Sequence, residues 1–541
     1  MPSKQPEYRR FLVPIDTVST EQLFTDCVVV GAGIAGLRAA IEAAAGGISV
    51  TILCKGQFKS SNTWQAQGGI ASVLGGDDSV AEHVKDTLAT GGGICSKKVV
   101  ELVISQGAEL VCELAKWGTP FDTTGGEIDI TLEGGHSHAR VVHAHGDSTG
   151  RAIVETLIKK ARGQSNINII ENFYAIDLIT NDKNECIGII GYRTDIGFEI
   201  IWSAATILAA GGAGMLYRET TNPDVSTADG LAMAYRAGVV LSDMEFMQFH
   251  PTTLYVAGAS RALVTETLRG EGAKLVDSNG QRFMDKYHDS AELAPRDVVS
   301  RAILEEMLKN NSTHVYLDIR HFKKDYFSNR FPYISELCRS FDIDVSSDLI
   351  PVRPSAHYMI GGIKTDMKAA TNVSGLYACG EVSSTGLHGA NRLGSNSLLE
   401  GLVYGKIAGR SVCQRLAGGN DSFKHKKIKY NIGDSGRSRL DTADIRNSLR
   451  SLMWRNVGIT RKDSLLGEAQ EIIKFWQSYV MDKVFKSPYD WECQNMLTVS
   501  LLMAQAAQKR QESRGVHYRS DYPQSDDKFA SHTELSSQSR I

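Results

Sequence analysis

A glycine-rich turn between two apolar stretches constrains the fold of this chain most strongly. GAGIAG at residues 31–36 follows the apolar residues 27–30, opens the alanine-rich stretch 37–45 and precedes a second apolar stretch at 49–53. This order predicts a strand, a tight turn, a helix and a second strand, which together form one βαβ unit. In such a unit the GxGxxG glycines let a pyrophosphate approach the backbone and let the helix pack against the strand. A glycine turn without a ligand is the alternative interpretation.

The residues after the second predicted strand argue against a plain NAD site. Cys54 and Lys55 occupy the position where an acidic residue usually meets the ribose of NAD. The next stretch, SSNTWQAQGGIA at 60–71, is rich in small and amide residues and is placed where it could cradle a flavin ring. An ordinary polar loop is the other interpretation of this stretch.

The remaining pattern predicts a layered α/β protein with an insertion. ATILAAGGAG at 205–214 and GLYACGE at 375–381 each resemble a buried strand that ends in glycine, and a segment rich in His, Arg and Pro lies between them. Ile445, Leu449, Leu452 and Met453 recur at helical spacing near the C-terminus. We therefore expect a doubly wound, Rossmann-like domain, interrupted by an α+β capping domain and followed by a helical domain.

The expected boundaries are an N-terminal extension (1–23), a discontinuous dinucleotide-binding domain (24–242 and 359–416), a capping domain (243–358), a linker (417–440), a helical domain (441–523) and a disordered tail (524–541). A chain of 541 residues with 42% hydrophobic content is long enough for two or three such domains.

Charge and cysteine usage exclude several classes of function. A net charge of -3 gives no field that favours nucleic acid or an anionic membrane. The nine cysteines are scattered singly, which fits reduced thiols and argues against disulfides or a cysteine-bound metal. The sequence has no apolar run long enough to span a membrane and no signal-peptide pattern at its start. We expect a cytoplasmic protein without a metal site.

The segment HGANRLGSNSLLEGL at 388–402 combines a cation with a predicted helix start. Ser397 followed three residues later by Glu400 is the pattern of a capping box, which predicts a helix whose free N–H groups suit an electron-rich cofactor edge. Arg392 lies on the preceding glycine-bounded loop and has the geometry to bind a carboxylate through two hydrogen bonds. A helix cap beside a surface arginine is the simpler alternative.

Further charged residues lie in the predicted capping domain and just after it. His250, His357, Arg296 and Arg392 together could supply donors for two carboxylates and fix a small dianion against a flavin. Glu266 and Arg269 are one helical turn apart, so they could form either a chain of charge-assisted hydrogen bonds or an ordinary surface ion pair. Single histidines are more often structural residues than ligands.

These motifs in this order resemble the succinate dehydrogenase/fumarate reductase flavoprotein superfamily. The similarity is carried by GAGIAG, NTWQAQGGIA, DMEFMQFHPT, RGEG, RDVVSR, HYMIGG, GLYACGEV and HGANRLGSNSLLEG, and it resumes weakly at ESRGVHYRSDYP. Within the superfamily, the stretches GTPFD (118–122) and 132–150 are similar to the members that oxidise L-aspartate. Respiratory members attach FAD covalently to a histidine at the position of Asn62, and an amide cannot make that bond. The resemblance therefore implies noncovalent FAD.

The resemblance also implies roles for individual residues. It places FAD contacts at Gly31, Ala32, Gly33, Gly36, Lys55, Asn62, Thr63, Gln67, Gly68, Gly69, Asp229, Glu381, Ser397 and Leu398. It places substrate contacts at Glu133, Thr265, His250, His357 and Arg392, with Glu133 meeting the ammonium. Arg296 is implied as the central catalytic residue, whose proton is replenished through Glu266 and Arg269 during fumarate reduction. Because the pKa of arginine is above 12, this role needs a dry site crowded with cations.

The implied reaction is oxidation of L-aspartate to iminoaspartate, the first step of de novo NAD synthesis. Dioxygen, giving hydrogen peroxide, or fumarate, giving succinate, is the implied electron acceptor, and functional coupling to quinolinate synthase is implied as well. One competing hypothesis is a fumarate reductase or succinate dehydrogenase flavoprotein subunit. The other is a redox-silent dinucleotide-binding scaffold, which would have no need for dispersed cations that match a dicarboxylate.

Overall fold

The computed structural model describes residues 9–256, 261–418, 425–433, 435–436 and 441–537. Its helices are α1 (Ile34–Ala45), α2 (Val80–Thr90), α3 (Lys97–Ser105), α4 (Gly107–Lys116), α5 (Thr149–Arg162), α6 (Asp229–Arg236), α7 (Thr267–Gly270), α8 (Arg296–Lys309), α9 (Lys324–Arg330), α10 (Pro332–Arg339), α11 (Asn396–Leu416), α12 (Thr442–Asn456), α13 (Asp463–Val480) and α14 (Pro488–Lys509). Its strands are β1 (Ile15–Asp16), β2 (Glu21–Val30), β3 (Val50–Leu53), β4 (Ile70–Ala71), β5 (Thr123–Thr124), β6 (Glu127–Ile128), β7 (Ile130–Thr131), β8 (Val141–Val142), β9 (Ile167–Ile170), β10 (Tyr174–Thr180), β11 (Cys186–Arg193), β12 (Gly197–Leu208), β13 (Leu241–Ser242), β14 (Met247–Leu254), β15 (Lys274–Val276), β16 (Val315–Asp318), β17 (Ile350–Met359), β18 (Gly362–Lys364), β19 (Leu376–Ala378), β20 (Ser383–Ser384), β21 (Lys429–Tyr430), β22 (Thr460–Arg461), β23 (Tyr518–Arg519) and β24 (Glu534–Leu535).

The predicted βαβ unit forms the centre of the main sheet. Strands β2 and β3 pair in parallel, and α1 connects them. The strand order is β10-β11-β12-β2-β3-β9, and β19 pairs in parallel with the last residues of β12. The two glycine-ended strands predicted far apart in the sequence are therefore neighbours. Helix α11 packs against α1, so the chain returns to this layer after the insertion, and the predicted fold class is confirmed.

The inserted segment forms a second, antiparallel sheet. Its strand order is β14-β17-β16-β15, and α8 packs on β14. A separate hydrophobic core, which includes Leu254, Leu275, Ile303, Phe331 and Val352, lies beneath this sheet. This arrangement brings β14 and β17 beside the main sheet's glycine-rich loops. The exact domain limits proposed from the sequence stay predictions.

Three helices follow the predicted linker at 417–440. Only part of that linker lies within the described residues. The recurring apolar residues Ile445, Leu449, Leu452 and Met453 are buried on α12, as their spacing predicts. Helix α14 packs against α13 and also against α6 of the main domain. In the described part of the chain, no helix has the length and apolar character required to cross a membrane.

The expectation of a disordered tail from residue 524 is wrong for residues 524–537. Strand β24 pairs with β13, and His532 Nδ1 lies 2.6 Å from Asp243 Oδ2. Asp243 also accepts a hydrogen bond from the backbone of Thr533. The polar composition of this segment hid these specific partners, since an edge strand needs backbone pairing and not an apolar pattern. Residues 538–541 lie outside the described residues.

Candidate active site

A cavity of about 850 Å³ lies where the parallel strands end in glycine-rich turns. The predicted cofactor residues that line it are Gly31, Ala32, Gly33, Lys55, Asn62, Thr63, Gln67, Asp229, Glu381, Ser397 and Leu398. Gly36, Gly68 and Gly69 do not line it. A Cβ on Gly36 would lie 2.0 Å from the Gly31 carbonyl oxygen, so this glycine serves the close packing of α1 on β2. A Cβ on Gly69 would lie 2.3 Å from the Val142 carbonyl oxygen, so that glycine allows a close backbone contact.

The cavity has the features that a dinucleotide needs. Gly31 has φ +111°, and a Cβ there would lie 2.1 Å from the Ala209 carbonyl oxygen, so only glycine fits the turn. Helix α1 begins after Gly33 without a side-chain cap, which leaves the positive end of its dipole available to a phosphate. Gln67 Oε1 is buried and has no hydrogen-bond partner among the described residues. These residues fit FAD.

Both the nitrogen and the oxygen of the Asn62 side-chain amide make hydrogen bonds within the protein. Its Nδ2 donates to Glu381 Oε2 at 2.8 Å, and its Oδ1 accepts from the Ser226 hydroxyl at 2.9 Å. Glu381 also accepts the backbone N–H of Met359, and burial raises the pKa of this carboxyl. Asn62 thus ties the 60–71 stretch to the end of β19.

A buried ion network closes another part of the cavity. Lys55 Nζ lies 2.7 Å from Asp229 Oδ2 and 2.6 Å from Glu492 Oε1. Asp229 Oδ1 accepts from the Tyr174 hydroxyl and from Asn495 Nδ2. Burial alone would raise the pKa of Asp229, but Lys55 and these donors outweigh it and lower the pKa. Glu492 and Asn495 lie on α14, so a C-terminal helix supports two side chains of the cavity wall, a contact that was not predicted from the sequence.

Two buried guanidinium groups meet at one amide oxygen beyond the cavity. Gln248 Oε1 accepts from Arg296 Nη1 at 3.2 Å and from Arg392 Nε at 3.1 Å. The amide group of Gln248 donates to Asn391 Oδ1 and to the Arg392 carbonyl. Gln248 was not among the site residues predicted from the sequence. Its position two residues before His250 on β14 is the signal that could have found it, because alternate residues of a strand share a face.

Arg392 connects this cluster to the cavity. Its Nη1 donates to the hydroxyl of Ser397, which lines the cavity, and its guanidinium lies 4.5 Å from the centre of the Tyr358 ring. Burial and the nearby Arg296 lower the pKa of Arg392 to about 10. The group therefore stays charged at neutral pH while retaining N–H groups for a ligand.

Glu266 links Arg296 to Arg269. Its Oε2 lies 2.7 Å from Arg296 Nε and 2.6 Å from Nη2, and its Oε1 lies 2.9 Å from Arg269 Nη2. All three side chains are buried, so the interpretation of Glu266 and Arg269 as a surface ion pair is wrong. Burial alone would raise the pKa of Glu266, but the two guanidinium groups lower it to about 2. The carboxylate is therefore ionised and bridges two cations.

His250 and His357 lie together but carry no charge at neutral pH. Their ring centres are 5.2 Å apart. Burial, reinforced by the arginines nearby, lowers both pKa values well below the ordinary 6.5. His250 Nδ1 is hydrogen bonded to the backbone of Thr252, and His357 Nδ1 to the hydroxyl of Thr221. The positive charge near these rings comes from the arginines, and the histidines are neutral hydrogen-bonding groups.

Glu133 is buried on the other side of Arg296. Its Oε1 accepts from the Thr267 hydroxyl at 2.9 Å, and its Oε2 accepts from the Ser395 hydroxyl at 2.8 Å. A Cβ on Gly394 would lie 3.4 Å from Arg296 Nη2 and 3.5 Å from Glu133 Oε2. The guanidinium of Arg296 and the carboxylate of Glu133 therefore both lie close to this glycine. The hydroxyl of Thr265, predicted to bind substrate, contacts the hydroxyl of Thr267.

The predicted capping box at the start of α11 is wrong. The helix begins one residue after Ser395, which is in the left-handed conformation with φ +59° and makes no side-chain cap. Ser397 lies in the first turn and accepts from Arg392, while Glu400 accepts from Tyr358 and Thr385. Tertiary partners thus displaced the local bonds that the pattern suggested.

The C-terminal segment supports the loop that carries Arg392. The backbone N–H of Val516 donates to the Ala390 carbonyl, and Arg514 Nη1 donates to the Gly92 carbonyl. Gly515 has φ +54°, and a Cβ there would lie 2.3 Å from the Ala390 carbonyl oxygen. This segment is ESRGVHYRSDYP, the motif to which the sequence analysis gave no role.

The arrangement suits a small dicarboxylate that also carries a cation. Arg296 and Arg392 offer two sets of donors for carboxylates. Glu133 offers a negative group within the same space, which an ammonium would satisfy. The large cavity reaches His357 and Ser397, so a cofactor bound in it would lie beside this site. The geometry therefore matches redox chemistry on an amino dicarboxylate.

Two family models match the chain. One, described as the FAD binding domain, matches residues 26–398. The other, described as the fumarate reductase flavoprotein C-terminus, matches residues 446–540. Together they cover the parallel sheet, the inserted sheet and the C-terminal helices.

Individual proteins extend the comparison. The L-aspartate oxidase of Yersinia pestis is 41% identical over 93% of this chain and 97% of its own length. The L-aspartate oxidase of Streptomyces coelicolor is 39% identical over 93% of this chain and 89% of its own length. Among solved structures, the quinol fumarate reductase FrdA of E. coli has a TM-score of 0.88 at 33% identity, covering 96% of this chain and 95% of that one.

Proposed function

We infer the reaction from kinship, because this chain belongs to the L-aspartate oxidase family, within the flavoproteins related to fumarate reductase. It oxidises L-aspartate to iminoaspartate with FAD, the first step of de novo NAD biosynthesis. The observation that carries this conclusion is the buried Glu133 beside Arg296 at a dicarboxylate site, because aspartate has an ammonium group and succinate does not. We propose dioxygen, giving hydrogen peroxide, or fumarate, giving succinate, as electron acceptor.

Residue roles follow from the contacts at the site. Arg392 and Arg296 bind the substrate carboxylates, with His250 and His357 as further hydrogen-bonding groups, and Glu133 binds the ammonium. FAD, when bound, supplies the hydride acceptor. The carboxylate contacts hold the Cα–H in one orientation toward the cavity, so that hydride departure and formation of the C=N bond are aligned.

In the fumarate direction, Arg296 donates the proton at carbon. Glu266 contacts both Arg296 and Arg269, which supports a path for replacing that proton. The low pKa of Glu266 keeps its carboxylate ionised between turnovers, so the proton that Arg296 gives up has to be replaced from solvent along this chain of contacts.

FAD is proposed to be held without a covalent bond. The position that carries the attached histidine in respiratory members is Asn62, whose amide is already engaged by Glu381 and Ser226. Denaturation in acid should release all of the flavin into the supernatant. We also propose functional coupling to quinolinate synthase, because an imine hydrolyses readily in water and gains from rapid consumption.

An anaerobic titration tests the reaction. FAD-loaded protein mixed with L-aspartate should lose its flavin absorbance near 450 nm, and admission of oxygen or fumarate should restore it. Loss of absorbance with succinate but not with aspartate would instead identify a respiratory type of subunit. Protein that binds no FAD would point to a scaffold.

A variant tests the central role of Arg296. Arg296→Leu should lose both aspartate oxidation and fumarate reduction while keeping bound FAD. Lys309→Leu, at the exposed end of the same helix and paired with Glu305, is the matched control. If Arg296→Leu retains both activities nearly unchanged, the assignment is wrong.

A further inference from the structure

Both oxygens of the Glu133 carboxylate accept hydrogen bonds from uncharged hydroxyl groups. Thr267 opens α7 and donates to Oε1, whereas Ser395 precedes α11 and donates to Oε2. Glu266 differs, because its two oxygens pair with guanidinium groups. The Glu133 carboxylate therefore contacts neutral donors, whereas the Glu266 carboxylate at the same site contacts cations.

The surroundings of Glu133 leave its negative charge available to a ligand. Within the described residues no lysine or arginine forms an ion pair with Glu133, and the one histidine nitrogen within 4 Å of its carboxylate belongs to His143, at 3.9 Å. Burial, assisted by Arg330, lowers the pKa of His143 to about 4, so that ring is neutral. A buried carboxylate without a cation is costly unless donors stabilise it. The two hydroxyl groups supply that stabilisation without cancelling the charge.

The loop that carries Glu133 is fixed from behind. His136 Nε2 is hydrogen bonded to the Gly394 carbonyl at 3.1 Å, and Arg140 Nη1 lies 3.2 Å from His136 Nδ1. Arg140 is fully buried between Asp78 and Asp86. The backbone around Glu133 is thus anchored independently of the two hydroxyl donors. Removal of a hydroxyl should change the carboxylate and leave the loop in place.

We propose that Ser395 and Thr267 are positioning residues that set the preference for an amino dicarboxylate over a plain one. They hold the Glu133 side chain in one orientation, so that its carboxylate meets the substrate ammonium near Arg296. The proposal rests on the proposed function of Glu133 as the ammonium-binding group. Substrates without an ammonium, such as fumarate and succinate, should not depend on either hydroxyl.

The test compares two substrates on the same variants. Ser395→Ala and Thr267→Val should each raise KM for L-aspartate by about tenfold, the range of one hydrogen bond to a charged group. The KM for fumarate, measured with a reduced dye as electron donor, should stay within about twofold of the wild-type value, because fumarate has no ammonium group. Thr267→Ser keeps the donor and should restore the KM for aspartate.

Matched controls separate this effect from general loss of packing. Ser72 and Thr119 are buried, and their hydroxyl groups have no hydrogen-bond partner among the described residues. Ser72→Ala and Thr119→Val should leave both reactions unchanged.

Glu133→Gln distinguishes the failure of the inference from the failure of the proposed function. The inference is overturned if Glu133→Gln raises the KM for aspartate while Ser395→Ala and Thr267→Val do not. It is also overturned if the two hydroxyl variants impair fumarate reduction as much as aspartate oxidation. If Glu133→Gln itself leaves the KM for aspartate unchanged, the proposed function of Glu133 fails.

Discussion

Replacement of Arg392 by lysine should separate charge from geometry at the dicarboxylate site. A guanidinium has five N–H donors, of which Arg392 uses one on Gln248 and one on Ser397. Three remain for a carboxylate, enough for a two-point contact. A lysine has three donors, and only one remains if the same two partners are kept. The variant therefore loses one charge-assisted hydrogen bond, about 1.5–3 kcal/mol, which corresponds to roughly 10- to 150-fold in kcat/KM.

The same variant should also change the pH dependence. Burial and Arg296 lower the pKa of Arg392 to about 10, roughly two units below its ordinary value. A similar displacement would bring a lysine, with an ordinary value near 10.4, to about 8. Arg392→Lys should thus lose the cation, and with it further activity, as pH rises through about 8, whereas the wild type retains its cation to about 10.

Steady-state assays with L-aspartate and with fumarate between pH 6.5 and 9 check both effects. The kcat/KM values for both substrates should fall by a similar factor, because each substrate presents a carboxylate to Arg392. Arg410→Lys, on the exposed face of α11 and paired with Glu42, is the control. Activity of Arg392→Lys within threefold of wild type at pH 7, without a steeper alkaline loss, would refute the reasoning.

Three further predictions concern other parts of the molecule. Because the folded-state pKa of Glu266 is depressed to about 2, its stabilisation is present above about 4.5 and is lost as pH falls toward 2. In urea unfolding, the stability gap between wild type and Glu266→Gln should therefore shrink as pH drops below 4.5, and a constant gap would contradict the assignment. Lys55→Met leaves two largely buried carboxylates without their shared cation and should raise the Kd for FAD about tenfold or more, with kcat retained at saturating FAD. Exposed Lys97→Met, away from the cavity, is the control, and equal Kd values for the two variants would rule the role out. Gly515→Ala places a Cβ against the Ala390 carbonyl and should raise the KM for aspartate and fumarate together by about tenfold without changing FAD content, so normal KM values would show that this contact does not matter.

Local patterns in the sequence predicted the parts of the fold that depend on local chemistry. The turn at residues 31–36 follows from glycine's conformational freedom and from the apolar runs on either side. The strands β12 and β19 follow from two apolar runs that end in glycine, although their pairing was seen only in the structure. The helix that buries Ile445 and Leu449 follows from their spacing. In each case the signal lies within one element or in two matching ones.

Contacts between distant segments were not predictable from one sequence. Ser395 and Thr267 are ordinary hydroxyl residues until the fold places both against Glu133. Gln248 lies in a recognisable motif, but its use as a shared acceptor depends on two arginines from separate elements. The capping pattern at Ser397 failed for the same physical reason, because a tertiary partner competed successfully with a local one.

The contact between Val516 and Ala390 also sets an order of events during synthesis. The loop that leads to Arg392 is made early, but its backbone partner emerges only after the helices α12, α13 and α14. A nascent chain can therefore build most of the FAD cavity before the substrate arginine acquires its final support. The substrate site is therefore complete only after the segment that contains Val516 has been synthesised.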